Sequence, residues 1–378
     1  MVTYPKDWNN ECLENLTSSI ITGGTPSTGN ASFWGGNIPW LASTEIHQKR
    51  ITKPTAYITL AGLQNSSAKI APKYSVLIAL AGQGKTRGTA AFLQQDMAVN
   101  QSLAALVANS KANAEFLFYL IEANYNELRE TSSGDGGRGG LNKKLLKKYR
   151  INLPADVNEQ ESIAETLSCM DEHIDNLTEL IEKKKGIRDG ALEDLVSGRT
   201  RLKGFSGEWV EYPFDKFFTL LSNNTLSRDK LTNSGKIGNI HYGDVLIKYR
   251  DVLSDKDSIP RGKADIDTRP FKFLQSGDVI IADTAEDDTV GKAIQICDVS
   301  IPLVGGLHTI VCRPNYDTAA GYLGYYINSK NYHNQLLPHI TGIKVSSISK
   351  KAIKTTVLNL PRDIDEQNAI VEVLSSFS

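Results

Sequence analysis

The sequence predicts an α+β fold in which two irregular α/β domains stand in tandem, joined by a long coiled-coil helix and followed by a short second helix at the C-terminus. Three observations lead to this prediction: an internal repeat, short β-branched runs separated by turn residues, and one long segment with apolar residues at heptad spacing. A chain of 378 residues is long enough for two domains, each with its own core.

The internal repeat is clearest near the ends of the two copies. Residues 151–170 align without gaps on residues 358–377, an offset of 207 residues, and ten of the twenty positions are identical. The same offset places three lysines of one copy on three of the other: Lys143 on Lys350, Lys144 on Lys351 and Lys147 on Lys354. Because the two copies share the same ordered segments but differ in the loops between them, we expect the loops of each copy to recognise a different target.

Within each copy, β-branched runs such as VLIAL, DVIIAD, KAIQIC and HTIVC are separated by Gly, Asn, Asp and Ser, which is typical of irregular sheet. One helix is predicted over residues 115–130 and its counterpart over residues 321–336. The sequence therefore predicts a first domain over residues 1–157 and a second over residues 204–362.

Between the two domains, residues 158–203 predict a long spacer helix with its exit turn, the helix ending at Gly198. Its apolar residues recur in alternating steps of four and three, flanked by Glu and Lys, as in a coiled coil. Residues 363–378 predict the start of a similar, shorter helix. The positions expected to bind a partner helix are Ile163, Leu167, Met170, Ile174, Leu177 and Ile181, with Ile370 and Leu374 in the short helix.

The composition is that of a globular protein, with 40% apolar and 22% charged residues. No apolar run approaches the ~20 residues of a membrane helix, and the N-terminus lacks the pattern of a signal peptide, so we expect a cytoplasmic protein without membrane contact. The four cysteines show no C-x-x-C spacing and the six histidines no paired spacing. Neither a metal site nor a catalytic residue is therefore predicted.

The strongest enzyme-like pattern is ALAGQGKT over residues 79–86, which fits a permissive Walker A motif. A P-loop lysine stands at the start of a helix, whereas Lys85 is followed by Thr86 and Arg-Gly-Thr, a poor first turn. The corresponding residues 283–292 are acidic where phosphate would bind. A DNA-facing strand–loop–strand is the favoured interpretation, and nucleotide binding is the alternative.

Basic segments beside Gly and Ser are the better functional signal, because lysine and arginine suit phosphate contacts while Asn, Gln, Ser and Arg suit base edges. The net charge is only −1, but residues 138–150 hold six cations and no acid. The alternative for such a segment is the charged surface of an ordinary helix, and residues 43–50 would equally fit a strand turn. The candidate DNA-binding residues are Ser43, Thr44, Gln48, Lys49, Arg50, Lys85, Thr86, Arg87, Arg138, Asn142, Lys143, Lys144 and Lys147 in the first copy, and Lys248, Arg250, Lys292, Lys344, Ser346, Ser347, Lys350 and Lys351 in the second.

Each copy ends in a basic segment, an N-L-P-x-D turn and an E-Q-x-x-I-x-x-x-L helix start, and this duplicated order resembles the specificity subunits of type I restriction-modification systems. Residues 21–28 (ITGGTPST) and 37–40 (NIPW) resemble their first target recognition domain, and residues 240–249 (IHYGDVLIKY) resemble their second. The resemblance covers essentially the whole chain.

The resemblance implies a non-catalytic subunit with two target recognition domains in opposite orientations on antiparallel helices, each reading one half of a split, asymmetric DNA site. It implies two methyltransferase subunits on the helical spacer and separate motor-nuclease subunits. S-adenosylmethionine, ATP and Mg²⁺ would bind to those partners and no cofactor to this chain. The second helix is shorter than the family pattern, so a second chain is expected to supply the missing part.

Two other functions remain open from the sequence. A P-loop NTPase or a nuclease is suggested by Lys85 and by Asp175, Glu182 and Lys184, which loosely match a D…ExK set on the heptad helix. A two-domain DNA-binding regulator that works alone would share the DNA contacts but would not need a partner-binding helix. ATP turnover by the purified chain favours the first, and co-purification with a methyltransferase excludes the second.

Overall fold

The computed structural model describes residues 5, 7–82, 84–131, 140–262, 272–342 and 344–377. The chain divides into two compact units, Met1–Leu177 and Thr178–Ser378. The division falls inside one continuous helix, so the first unit contains the beginning of this helix and the second unit contains its end.

The first unit is built mainly of short strands. Its strands are β1 (Trp8–Cys12), β2 (Thr17–Thr22), β3 (Trp34–Leu41), β4 (Arg50–Ile51), β5 (Ala56–Ile58), β6 (Lys69–Ala71), β7 (Val76–Ala79), β8 (Ala90–Leu93), β9 (Met97–Val99), β10 (Leu103–Ala108) and β11 (Arg150–Pro154). Its helices are α1 (Leu13–Leu16), α2 (Leu60–Gln64), α3 (Ala114–Ala123), α4 (Tyr125–Glu130), α5 (Lys143–Lys148) and the long α6 (Val157–Val196). Short 3-10 helices cover Ala31–Phe33 and Ser43–Gln48.

The second unit repeats this design. Its strands are β12 (Trp209–Pro213), β13 (Phe218–Leu221), β14 (Leu231–Thr232), β15 (Gly238–Ile240), β16 (Val252–Leu253), β17 (Arg261–Gly262), β18 (Val279–Ala282), β19 (Thr284–Ala285), β20 (Ala293–Ile296), β21 (Leu303–Gly305), β22 (Thr309–Pro314), β23 (Ser346–Ser347) and β24 (Val357–Pro361). Its helices are α7 (Phe214–Phe217), α8 (Tyr242–Ile247), α9 (Tyr322–Ile327), α10 (Lys330–Leu336), α11 (Lys350–Ile353) and α12 (Ile364–Ser375). Residues Arg228–Lys230 and Leu337–His339 form 3-10 helices.

The two units share the topology of their five-stranded sheets, which supports the duplication, whereas their four-stranded sheets, β5-β3-β9-β6 and β14-β17-β15-β21, differ in strand order. A five-stranded sheet has the order β2-β10-β7-β8-β4 in the first unit and β13-β22-β18-β20-β16 in the second. In both sheets the last edge strand pairs in parallel and the other neighbours are antiparallel. The N-L-P strand pairs with the first strand of its own copy, as β1 with β11 and as β12 with β24. The predicted α+β fold of two sheet-rich units is therefore confirmed.

Each sheet is covered by the helices of its own unit. The central strands β7 and β18 are buried along their whole length, as expected for apolar runs without alternation. In the second unit, the core also takes in the end of α6 and the short α12, through residues such as Leu192 and Val196 of α6 and Ile370 and Leu374 of α12. The two predicted apolar positions of the short helix are thus used inside this chain.

Helix α6 confirms the predicted long spacer helix. It runs for 40 residues, from Val157 to Val196, about 60 Å at 1.5 Å per residue. Gly198 follows with φ of +72°, the left-handed conformation that glycine adopts beyond a helix end. Along the middle of the helix the heptad positions stay uncovered, and Met170 and Ile174 are each 59% exposed.

The short helix α12 lies antiparallel to the last part of α6 within the second unit. Near its start, Glu366 is buried and accepts from the Arg201 guanidinium, with Nη2 2.7 Å from Oε2. Just beyond its end, Phe377 lines a groove together with Ile181 and Lys184 of α6. The start of α12 therefore lies near the end of α6, and the end of α12 lies near an earlier part of α6, as antiparallel packing requires.

Candidate nucleic-acid interface

The Walker-like segment of the first unit is a loop between two antiparallel strands. It joins β7 to β8, which pair from Val76 with Phe92 to Ile78 with Ala90. Lys85 lies in a turn that returns directly to β8. A P-loop requires a helix whose backbone amides face the phosphate, so this segment lacks the geometry of a P-loop. It is a strand–loop–strand, and its contact with DNA stays a prediction.

The β7–β8 loop is fixed from one side by helix α4. The Tyr125 hydroxyl donates to the carbonyl of Lys85 at 2.8 Å, and Arg129 Nη1 lies 2.5 Å from the carbonyl of Gly84. These contacts use the loop backbone and leave the Lys85 side chain exposed. The loop is thus held in place while its cation is available to an anion.

The predicted segment of residues 43–50 lies against the same loop. His47 Nε2 is 3.2 Å from Thr86 Oγ1. The 3-10 helix Ser43–Gln48 is anchored by the buried Glu45, which accepts from the backbone N–H of Thr55 at 2.8 Å. Thr44, Gln48 and Lys49 are exposed and Ser43 partly so, although Lys49 also lies 3.5 Å from Glu122. The structure therefore brings two of the predicted segments together.

Arg50 has a structural role, contrary to the prediction that it contacts DNA. Its guanidinium forms an ion pair with Glu115 and donates to the Tyr119 hydroxyl at 2.9 Å and to Ser168 of α6 at 3.1 Å. It also lies over the ring of Phe92. With these partners the charge is satisfied inside the first unit.

The basic segment of the first unit forms helix α5. Asn142 caps its start, accepting from the backbone N–H of Leu145 at 3.0 Å, and Lys143 and Lys144 are exposed in the first turn. Lys147 pairs with Glu14. The backbone N–H of Leu141 donates to the carbonyl of Leu80 at 2.9 Å, which joins the segment to the base of the β7–β8 loop. Arg138 lies outside the described residues.

In the second unit, the β18–β20 loop (residues 283–292) is the counterpart of the β7–β8 loop. Gly88 and Gly291 both have positive φ, and the N–H of each donates at 2.9 Å to the last residue of the preceding strand. Lys292 turns inward, where its ammonium donates to the carbonyls of Leu246 and Tyr249 at 2.8 Å each. Burial lowers the pKa of Lys292. Lys292 therefore holds the end of α8, contrary to the prediction that it contacts DNA.

The predicted serines lie beside the β18–β20 loop. Strand β23 pairs Ser347 with Thr284 and Ser346 with Ala285, and Lys344 is exposed just before it. In the following turn Ser349 caps helix α11, whose first two residues, Lys350 and Lys351, are exposed. The second basic segment thus has the same relation to its loop as the first.

Lys248 and Arg250 belong to a different part of the second unit. Lys248 donates to the carbonyl of Ser258 and lies over the Tyr249 ring. Arg250 is exposed and lines a groove beside α6 with Lys184 and Arg188. No contact described for Lys248 or Arg250 joins either residue to strand β23.

Several residues at these loops carry no sequence signal. His47, Tyr125 and Arg129 support the β7–β8 loop, while Thr284 and His308 contact one another at the β18–β20 loop. They come from several separate segments of the chain and fit no spacing rule. A search of the sequence for polar residues near predicted strand ends would include these residues together with many others.

The heptad helix carries the residues that loosely matched a nuclease. Asp175, Glu182 and Lys184 lie on α6, where Glu182 pairs with Lys185 at 2.7 Å. In the described part of the chain, no group of three or more His, Cys, Asp or Glu side chains is placed to hold a metal ion. Among the same residues, no helix has the length and apolarity needed to span a membrane.

Comparison with known proteins gives consistent matches to one family. Residues 5–185 match the family model described as the type I restriction modification DNA specificity domain. The chain is 27% identical over 186 residues to the type I restriction enzyme MjaIX specificity subunit of Methanocaldococcus jannaschii, covering 47% of this chain and 42% of that subunit. It is 25% identical over 199 residues to the HindI specificity subunit of Haemophilus influenzae, covering 51% and 42%. The matches thus span less than half the length of these relatives.

Solved structures extend the likeness in fold to the whole chain. The crystal structure of the type I system S subunit from M. genitalium superposes with a TM-score of 0.59 at 15% identity, covering 100% of this chain and 91% of that one. A chain from a structure described as explaining complex assembly and conformational transition of the type I system gives a TM-score of 0.54 at 16% identity. The comparisons therefore agree: residues 5–185 match the type I restriction modification DNA specificity domain, and the chain has the fold of a solved type I S subunit.

Proposed function

We propose that this chain reads a two-part, asymmetric DNA site, one half with each unit, and carries methyltransferase subunits to it. The main observation behind the proposal is that the two units share one arrangement of strands but carry different residues in equivalent loops. The β7–β8 loop presents Lys85 and Thr86, whereas the β18–β20 loop presents Glu286, Asp287 and Asp288. Two frames with different contacting side chains would select two different base sequences.

The exposed lysines are proposed to supply phosphate contacts. Lys143 and Lys144 in the first unit, and Lys350 and Lys351 in the second, stand in the first turn of equivalent helices. Cations without a buried partner neutralise phosphates and release counterions, so they add affinity without sequence preference. Base selection is then left to the loops beside them.

The uncovered row of α6 is proposed to bind partner subunits. Leu167, Met170, Ile174, Leu177 and Ile181 are all at least 39% exposed, and such a row on a water-facing helix indicates a protein contact. We propose that it binds helices of two methyltransferase subunits, or a helix from a second chain, and that a motor-nuclease joins this complex. S-adenosylmethionine, ATP and Mg²⁺ would be bound by those partners, and this chain would contribute recognition alone.

Co-expression with the cognate methyltransferase tests the proposal. Charges placed in the row, as Met170→Glu with Ile174→Glu, are expected to abolish co-purification because a buried unpaired carboxylate is costly. Glu172→Gln, on the same helix but outside the row, is the matched control. Retained binding by the double variant, or a chain that binds its DNA site fully without any partner, would favour a regulator that works alone.

A further inference from the structure

The turn between β21 and β22 carries an exposed histidine that the sequence did not single out. His308 has a backbone φ of 53°, a left-handed conformation that is uncommon for residues with a side chain. Its side chain is 46% exposed, so core packing does not account for it. A residue held in this conformation with its ring in solvent is a candidate for a role in binding.

The backbone of this turn is fixed from both sides. The carbonyl of His308 accepts from the N–H of Asp283 at 3.1 Å, and the carbonyl of Leu307 accepts from the N–H of Tyr242 at 3.2 Å. Asn223 Nδ2 and Thr309 Oγ1 both donate to the carbonyl of Gly306, at 3.1 and 2.7 Å. The imidazole is therefore carried on a preorganised support, as a recognition group requires.

The contacts of the ring define which nitrogen carries the proton. His308 Nδ1 lies 3.2 Å from Thr284 Oγ1 and 3.3 Å from Asp283 Oδ1. The Thr284 hydroxyl donates its hydrogen to Asp283 Oδ1 at 2.8 Å, so it accepts from the ring. With two acceptors at Nδ1, the neutral imidazole is protonated there, and Nε2 is left as an acceptor.

The position of His308 places that acceptor at the second candidate DNA surface. Thr284, its partner, pairs with Ser347 of β23, in the segment that also exposes Lys344. Resting on the function proposed above, we propose that His308 is a specificity-determining residue. Its Nε2 accepts a hydrogen bond from the exocyclic amino group of an adenine or a cytosine in the major groove of one half-site.

The first unit holds a histidine in a different way. His47 meets Thr86 through Nε2, whereas His308 meets Thr284 through Nδ1. The two rings therefore use opposite nitrogens for the contact with threonine. This difference fits two units that select different bases.

The test compares the methylated motifs of complexes assembled from wild-type and variant chains with their methyltransferase subunits, on a library of random DNA. His308→Asn is the main variant, because asparagine readily adopts the left-handed backbone and can keep the contacts of Nδ1 but has no atom at Nε2. We expect discrimination to fall about tenfold at one base position of one half-site, with the other half-site unchanged. Thr284→Val, which removes the orienting acceptor, is expected to weaken the same position.

His339→Asn is the matched control, because His339 also contacts a threonine, Thr355 at 3.2 Å, but not the β18–β20 loop. It should leave the motif intact. A motif unchanged by His308→Asn overturns the inference, and so does a uniform loss of methylation at all sites, which indicates a structural role. If the wild-type complex methylates no two-part motif, the proposed function fails instead, so the two failures are distinguishable.

Discussion

Gln160 and Gln367, 207 residues apart, make the same two hydrogen bonds in the two units. Each side-chain oxygen accepts at 2.9 Å from a backbone N–H, that of Asn113 in the first unit and that of Ala319 in the second. Each side-chain nitrogen donates at 2.9 Å to the proline carbonyl of its N-L-P turn. In each unit, one buried glutamine amide therefore links the proline of the N-L-P turn to a distant backbone N–H. This link fixes the position at which the following helix begins.

Removal of this amide should destabilise the chain. Gln367 is 3% exposed, so Gln367→Ala leaves a buried N–H and a buried carbonyl without partners, and we expect the free energy of unfolding to fall by about 2–4 kcal/mol. Urea denaturation measures the change. Gln275→Ala, at an exposed position, should change stability by less than about 0.5 kcal/mol, and an equal loss in both variants would contradict the fastening role.

The exposed lysines of α5 should act through salt-dependent DNA binding. Lys143→Ala with Lys144→Ala is expected to weaken binding to all DNA sequences and to lower the log–log salt slope by about one unit for each lost phosphate contact. Binding measured from low to high salt gives the slope. Lys111→Ala, an exposed lysine outside the basic segment, is the control, and an unchanged slope in the double variant would exclude phosphate contacts.

Lys292 should behave in the opposite way. Its ammonium donates to two backbone carbonyls at the end of α8, so Lys292→Ala is expected to lower the free energy of unfolding by about 1–3 kcal/mol while the salt slope of DNA binding stays as in the wild type. Thermal unfolding and the same salt titration separate the two effects. A reduced salt slope of DNA binding with an unchanged free energy of unfolding would instead support the DNA contact predicted from the sequence.

Much of this architecture follows from sequence pattern alone. The repeat predicted two domains with a shared frame, and the heptad spacing predicted a long helix from residue 158 that ends at Gly198, close to the observed Val157–Val196, because burial periodicity is a local property. The partners of polar side chains are not local. Arg50 and Lys292 look like surface cations in the sequence, yet the partner of Arg50, Glu115, is 65 residues away and a partner of Lys292, the carbonyl of Tyr249, is 43 residues away. For the same reason His308 was missed.

The length of α6 should set the gap between half-sites. Four residues inserted between Asn176 and Leu177, before the part of α6 that Phe377 approaches, add about 6 Å and about 40° of rotation. At about 3.4 Å per base pair the preferred gap should grow by one or two base pairs with both half-sequences unchanged. Selection from a library with randomised gaps measures it. If α6 acted as a flexible tether, the distribution of selected gap lengths would instead be broad or would not shift.

Exchange of one unit tests the central claim most directly. Residues 209–357 are replaced by the equivalent region of a relative, and methylated bases are mapped across the genome of cells that carry the wild-type or the chimeric chain with the same methyltransferase. The exchanged region begins at β12 and ends at the start of β24, which pair with each other, so the shared frame is kept. We expect one half of a two-part motif to change while the other half and the gap remain. A motif altered on both sides of the gap, or a single undivided motif, would contradict independent recognition by the two units.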